Sequence, residues 1–185
     1  MSREEMIIGN RIMDTPAPLP RAGQVELVRL YLSPAHNFFG HNGRPPGETA
    51  AVESPELECV AGQGVRGDRF FAFKANYKGQ ITFFARETYE WLCGELAVRD
   101  RSPAVFRRNV ITAGADLNDW IGREFSLQGV RFRGTEECRP CHWMDQTFAP
   151  GAAELLKGRG GLRAVILSDG TLRTGREPTA NDIPS

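Results

Sequence analysis

Residues 102–144, SPAVFRRNVITAGADLNDWIGREFSLQGVRFRGTEECRPCHWM, decide how the chain is read. NVITAG, EFSLQG and VRFRGTEEC are short runs rich in β-branched and aromatic residues, punctuated by glycine, and the loop between the first two supplies Leu117, Trp120 and Ile121 as apolar cover. Short strands at close spacing with Gly turns predict a closed or barrel-like sheet. The stretch carries chemistry at both ends. Phe106-Arg107-Arg108-Asn109 opens it and Cys138-Arg139-Pro140-Cys141 nearly closes it, so an anion-binding group and a thiolate donor belong to one unit.

Upstream, ETYEWLCGELAV places Tyr89, Leu92, Cys93 and Leu96 on one face at helical spacing. QITFFA before it reads as a strand. LECVAGQGVRGDRFFAFK reads as two short strands around Gly62, Gly64 and Gly67, with Arg66, Asp68 and Arg69 presented at the turn. QVELVRLYL is a first strand, with Val25 and Leu27 and then, after a shift, Leu30 and Leu32 as its apolar set. The loop SPAHNFFGHNGRPPGETA carries His36, His41 and the Phe38-Phe39 pair, and loops of this length are functional or disordered. Downstream, PGAAELLKG predicts a short helix stopped by Gly158. LRAVILSDGTLRTG predicts a hairpin turning at Asp169-Gly170. The expected class is mainly β (α+β) with two or three short helices: an arm at 1–22, one domain at 23–173 and a tail at 174–185.

The chain has 185 residues, enough to bury a core without disulfides or metals. Lys plus Arg and Asp plus Glu number 23 each, so no global field favours nucleic acid or an anionic membrane, and any anion site must be local. No apolar run approaches the roughly 20 residues of a membrane span. The start MSREEMIIGNR lacks an apolar leader, so the expectation is an unsecreted, cytoplasmic protein whose four cysteines are reduced.

Cys138 and Cys141 suit a redox pair, half of a zinc site, or one functional thiolate beside a packed neighbour. His36 and His41 have H-x4-H spacing and complete a Cys2His2 zinc set with the two cysteines. Arg107 and Arg108 stand just before a strand, where guanidinium groups grip phosphate bidentately or simply end a solvated strand. Asp68 and Arg69 are either a local ion pair shaping the Gly-rich turn or a second wall of an anion site. His142 and Trp143 read as packing around the thiol.

Together, V-x-G-D-R in a Gly turn, F-R-x-N opening a strand, G-x-x-F-x-L-x-G-V-x-F, and a cysteine directly after proline in C-R-P-C resemble the MOSC family. These are domains similar to the C-terminal part of molybdenum cofactor sulfurase, and the resemblance spans residues 24–173. It implies a barrel-like β fold with a site for a molybdopterin-type cofactor. Cys141 matches the molybdenum-ligating thiolate of the amidoxime-reducing relatives, Arg107 and Asn109 match positions near the pterin phosphate, Arg108 lies between them, and Asp68 and Arg69 match the G-D-R element. A soft thiolate suits a soft metal, and Arg suits phosphate. The implied activity is reduction of N-hydroxylated small molecules with electrons from a separate donor protein. A Cys141 persulfide that carries sulfur from a donor protein, or a non-enzymatic and possibly zinc-stabilised binding barrel, are the alternatives. The large pyridoxal-phosphate domain of the sulfurase has no room in this chain, so pyridoxal phosphate is not expected.

Overall fold

The structure is a computed structural model that describes residues 25–37, 47 and 49–176. Phe38, Phe39 and His41 lie outside the described residues, as do residues 1–24 and 177–185. Among the described residues eleven strands and three α-helices follow one another: β1 Glu26–Leu32, β2 Val52–Glu53, β3 Glu56–Val60, β4 Gly64–Val65, β5 Ile81–Ala85, α1 Arg86–Glu95, β6 Val110–Ala113, β7 Glu124–Leu127, β8 Val130–Glu137, α2 His142–Thr147, α3 Ala152–Leu155, β9 Leu162–Ile166, β10 Gly170–Arg173 and β11 Gly175–Arg176. Short 3-10 turns at Pro103–Phe106 and Leu117–Trp120 flank β6.

An eight-stranded sheet runs β11-β1-β6-β5-β9-β8-β7, with β2 paired to β1. Its pairs are antiparallel except β5 and β6, which α1 connects as a crossover. A three-stranded sheet, β10-β3-β4, covers one face. Between the sheets lie Leu27, Leu30, Leu57, Val65, Phe83, Val110, Phe132 and Leu172. The helices cover the other face around Tyr31, Phe84, Leu92, Phe106, Ile111 and Trp143. Successive residues alternate between the two cores, Phe83 against Phe84 and Val110 against Ile111. This is why ITFFA and VITA read as unbroken apolar runs. In β1 a bulge between Leu27 and Arg29 shifts the register, so Leu27 and Leu30 face the same core despite their three-residue spacing.

Two expectations are corrected. The sheets are open rather than closed into a barrel: β7 and β11 end the large sheet without pairing with each other. The hairpin expected at residues 162–175 does not form. β9 pairs with β5 and β8, whereas β10 crosses to the small sheet and pairs with β3. Asp169 does not close a two-strand turn; its Oδ1 accepts from the Ala61 N–H at 2.7 Å, and Leu172 is buried between the sheets. The β7–β8 hairpin does form, turning at Gln128 and Gly129, both with positive φ as a two-residue type I′ turn requires.

The helix expected around Leu92 is α1. It ends at Ala97, which is exposed and left-handed at φ 52°, with its N–H bonded to the Gly94 carbonyl. A Cβ is unfavourable there, and Ala97→Gly is expected to stabilise the protein by about 0.5–1 kcal/mol, raising Tm by roughly 2–4 °C in a thermal melt. Among the described residues no helix is long and apolar enough to cross a membrane.

Candidate functional site

The Gly-rich turn after β4 and the strand opening at Asn109 meet in one buried node. Asp68 Oδ2 accepts from the Ser33 N–H and from Asn109 Nδ2, each at 3.0 Å, and its Oδ1 accepts from the Phe70 N–H at 3.1 Å. Asn109 Oδ1 accepts from the Thr82 N–H at 3.0 Å and from Thr82 Oγ1 at 2.9 Å, and its Nδ2 also donates to the Tyr31 carbonyl at 3.3 Å. One amide thus ties β1, β5, β6 and the turn together. Both side chains are buried and spend their polar capacity on the protein, so they build the site more than they face it.

Three arginines surround this node and have different work. Arg107 is left-handed at φ 56°, at the end of a 3-10 turn whose Ser102 Oγ accepts from the Ala104 N–H. Its Nη1 donates to the Thr49 carbonyl at 2.8 Å and its Nη2 to the Ala35 carbonyl, holding both ends of the long loop after β1. The Arg107 guanidinium also lies 5.9 Å from the Trp143 ring, whose Nε1 donates to the Val105 carbonyl. Burial pushes the Arg107 group down to about 10, Arg69 adds repulsion and Asp68 opposes it. Arg108 donates to the carbonyls of Phe106, Cys138 and Gly160, stapling the Cys-x-x-Cys loop to the loop before β9. Gly160 is required at that contact, because a Cβ would collide with the Cys138 carbonyl oxygen.

Arg69 differs from both. Its side chain is only 13% exposed, yet its one charged partner among the described residues is Asp68 at a long 4.0 Å, and Asp68 already accepts three closer hydrogen bonds. Burial lowers its pKa, Asp68 opposes this, and Arg108 lowers it further. The guanidinium stacks 4.6 Å from the Phe70 ring, and its fork makes no hydrogen bond among the described residues. In a chain of zero net charge, these arginines make a local positive field.

The two cysteines divide the properties of a functional thiol. Cys138 is 2% exposed, and its N–H donates to the Gly161 carbonyl at 2.7 Å. Cys141 is half-buried and stands at the N-terminal boundary of α2. Pro140, packed against Gly160, fixes the turn between them. Of the two, Cys141 has the more accessible thiol, and Cys138 is packed into the loop. Cys59 lies in the inter-sheet core, where burial pushes its thiol up to about 12, out of reach of reaction at neutral pH.

His36 sits edge-on to Phe70 with ring centroids 5.0 Å apart. Burial lowers its pKa, and Arg69 and Arg107 lower it further. A base whose folded pKa lies below its unfolded value contributes stability that is present above about 6.5 and is lost as pH falls through that range. Acidification from pH 8 to 5 should therefore destabilise the wild-type protein more than His36→Gln, measured by urea titration at each pH. No group of three or more His, Cys, Asp or Glu suited to a metal ion occurs among the described residues, and His41 of the zinc set lies outside them. A separate cleft of about 540 Å³ is lined by Glu87, Asp116, Asn118 and Arg159, among others, and by none of Asp68, Arg69, Arg107 or Cys141. Its two carboxylates are bound locally, Glu87 to the Gly114 N–H and Asp116 to the Asn118 N–H.

Sequence reading missed the aromatic surface beside Arg69. Phe70 and Phe73 were expected to continue a strand but lie, like Tyr77, in the turns between β4 and β5. Their spacing of three and four residues, unlike the alternation of a strand, was the available signal.

The geometry has parallels among known proteins. Residues 66–178 match the MOSC domain. The fold is similar to that of the YuaD protein from Bacillus subtilis, with a TM-score of 0.63 and 18% identity over 82% of this chain and 92% of that one. It is also similar to YiiM from Escherichia coli, with a TM-score of 0.57 and 17% identity over 87% and 71% of the two chains. For YiiM from Geobacillus stearothermophilus the TM-score is 0.59, with 13% identity over 82% and 72%. Comparison with curated protein sequences gives no match. Since the matched domain spans the Gly-Asp-Arg turn, the Arg-Arg-Asn strand opening and the Cys-x-x-Cys loop, the chain belongs to the MOSC domain family, which is associated with molybdenum cofactor binding.

Proposed function

We propose that the protein binds a molybdenum cofactor of the molybdopterin type and, when loaded, reduces N-hydroxylated small molecules with electrons from a separate donor protein. The observation that carries this reading is Arg69, a mostly buried guanidinium with no close acceptor among the described residues, set in the field of Arg107 and Arg108. A phosphate supplies the acceptors that this fork lacks. The half-buried Cys141 thiol fits a soft metal.

When bound, the cofactor supplies the two-electron redox centre. The chain's own residues hold and orient it. Arg69 grips the phosphate, and Arg107 and Arg108 contribute positive charge while their hydrogen bonds fix the flanking loops. Asp68 and Asn109 set the turn from which Arg69 projects. Arg108 and Gly160 hold the backbone that aims Cys141. The test is molybdenum and pterin content of protein purified from a host that makes the cofactor. Near-stoichiometric molybdenum with pterin fluorescence is expected; zinc, or sulfur on Cys141 without molybdenum, overturns the reading.

A further inference from the structure

Between β4 and β5 the chain makes consecutive turns. The Phe71 N–H bonds to the Asp68 carbonyl and the Phe73 N–H to the Phe70 carbonyl, and Ala72 and Asn76 are left-handed at φ 51° and 55°. The turns gather three rings, with centroids 5.4 Å apart for Phe70 and Phe73, 5.0 Å for Phe70 and Tyr77, and 5.2 Å for Phe73 and Tyr77. His36 joins from the far side of the chain, 5.0 Å from Phe70 and 6.2 Å from Phe73. Phe70 and Phe73 meet edge to face with planes 85° apart, and Tyr77 is turned 63° from Phe73, so the rings make a faceted aromatic wall in which each ring offers its own face. The wall is not closed off by the fold, since Phe73 is 51% exposed.

Two cations lie on this wall. Arg69 is stacked on Phe70, and the Lys74 ammonium is 5.9 Å from the Phe73 ring and 5.5 Å from the Tyr77 ring. Neighbouring cations are committed elsewhere, Arg66 to Glu58 at 2.8 Å and Lys78 to Glu136 at 3.4 Å. Lys74 has no acidic partner among the described residues, and Arg69 has only the long contact to Asp68. An exposed aromatic wall with an underused cation at each end is complementary to a flat ring that carries a negative charge.

We propose that this wall recognises the substrate of the same site, and that the N-hydroxylated substrate carries a flat aromatic ring with a carboxylate, of which benzoate is the minimal non-reacting mimic. The proposal rests on reading the surroundings of Arg69 as the ligand site. Phe73 and Tyr77 supply stacking area, and Lys74 pairs with the carboxylate.

The test uses cofactor-free full-length protein and saturation-transfer NMR titrations with three probes: benzoate, cyclohexanecarboxylate (charge without a flat ring) and benzyl alcohol (ring without charge). Benzoate is expected to bind at least about tenfold more tightly than either control. Phe73→Ala should weaken benzoate about tenfold, and Lys74→Gln should weaken it severalfold and flatten its salt dependence. Both side chains are exposed, and unchanged melting temperatures in the two variants establish that the fold is retained. Equal binding of cyclohexanecarboxylate, or benzoate affinity indifferent to both variants, overturns the proposal. Molybdenum content of both variants, measured separately, should equal that of wild type. Wild-type protein that takes up molybdenum but binds benzoate no more tightly than the two controls sinks this inference alone. Selective benzoate binding in a protein that never takes up molybdenum sinks the cofactor reading alone.

Discussion

Asn109→Ala is expected to remove about 3–5 kcal/mol of stability. The substitution deletes the acceptor for the Thr82 N–H and hydroxyl and the donor to Asp68 and to the Tyr31 carbonyl. Each buried polar group left without a partner costs about 1–3 kcal/mol, and the Asp68 carboxylate, which keeps the Ser33 and Phe70 N–H groups, loses one of its three donors. Domains of this size have about 5–15 kcal/mol in total, so the loss is a large share. Urea unfolding should show a lower midpoint with an unchanged slope, because the surface exposed on unfolding is the same. Asn109→Asp should be at least as damaging, since it sets a second carboxylate against Asp68 in a buried site. A loss below about 1 kcal/mol for Asn109→Ala would mean that water substitutes for the amide and that the node does not organise the fold.

Arg69→Ala should abolish anion binding without destabilising the unliganded protein. The reasoning separates it from Arg107. The Arg107 donors satisfy the Thr49 and Ala35 carbonyls, so Arg107→Ala strands two acceptors and is expected to cost about 2–3 kcal/mol. Arg69 satisfies no close acceptor among the described residues, while its burial beside other guanidiniums is unfavourable, so its removal leaves stability unchanged or slightly raised. Inorganic phosphate is the probe. It should raise the wild-type Tm in a concentration-dependent manner, as binding to the folded state alone requires, and should leave Arg69→Ala unmoved, a drop in affinity of about tenfold or more. A phosphate shift retained in Arg69→Ala and lost in Arg107→Ala would reverse the two roles.

Much of the domain was legible because local pattern and tertiary role agree. β1 and α1 follow from apolar spacing that the fold uses directly, and the runs EFSLQG and VRFRGTEEC are the strands β7 and β8. The miss at β9 and β10 has the opposite cause. Asp169-Gly170 carries a hairpin signal, but pairing is decided by which sheet buries Leu172, a contact with residues more than a hundred positions away. Closure of the sheet was unreadable for a similar reason: glycine turns say that strands end, not whether the first and last of them meet. At the site, sequence named Arg69, Arg107 and Arg108 but could not rank them, because three guanidiniums look alike until their acceptors are known. Only the fold shows that two are spent on backbone carbonyls and one is not. Asn109 was singled out for its place in a motif, and its structural role is visible only in the bonds it makes to three other segments.

The cysteine pair bears on the metal ligand of the proposed site, and exposure separates its members: Cys141 is half-buried, while Cys138 is 2% exposed. The most direct measurement is molybdenum per protein chain by plasma mass spectrometry for wild type, Cys141→Ala and Cys138→Ala, all purified from the same cofactor-producing host. Near-stoichiometric metal in wild type, at least about a tenfold loss in Cys141→Ala and a smaller loss in Cys138→Ala are the predicted result. Full molybdenum content in Cys141→Ala would contradict the assignment of Cys141 as the metal-ligating thiolate.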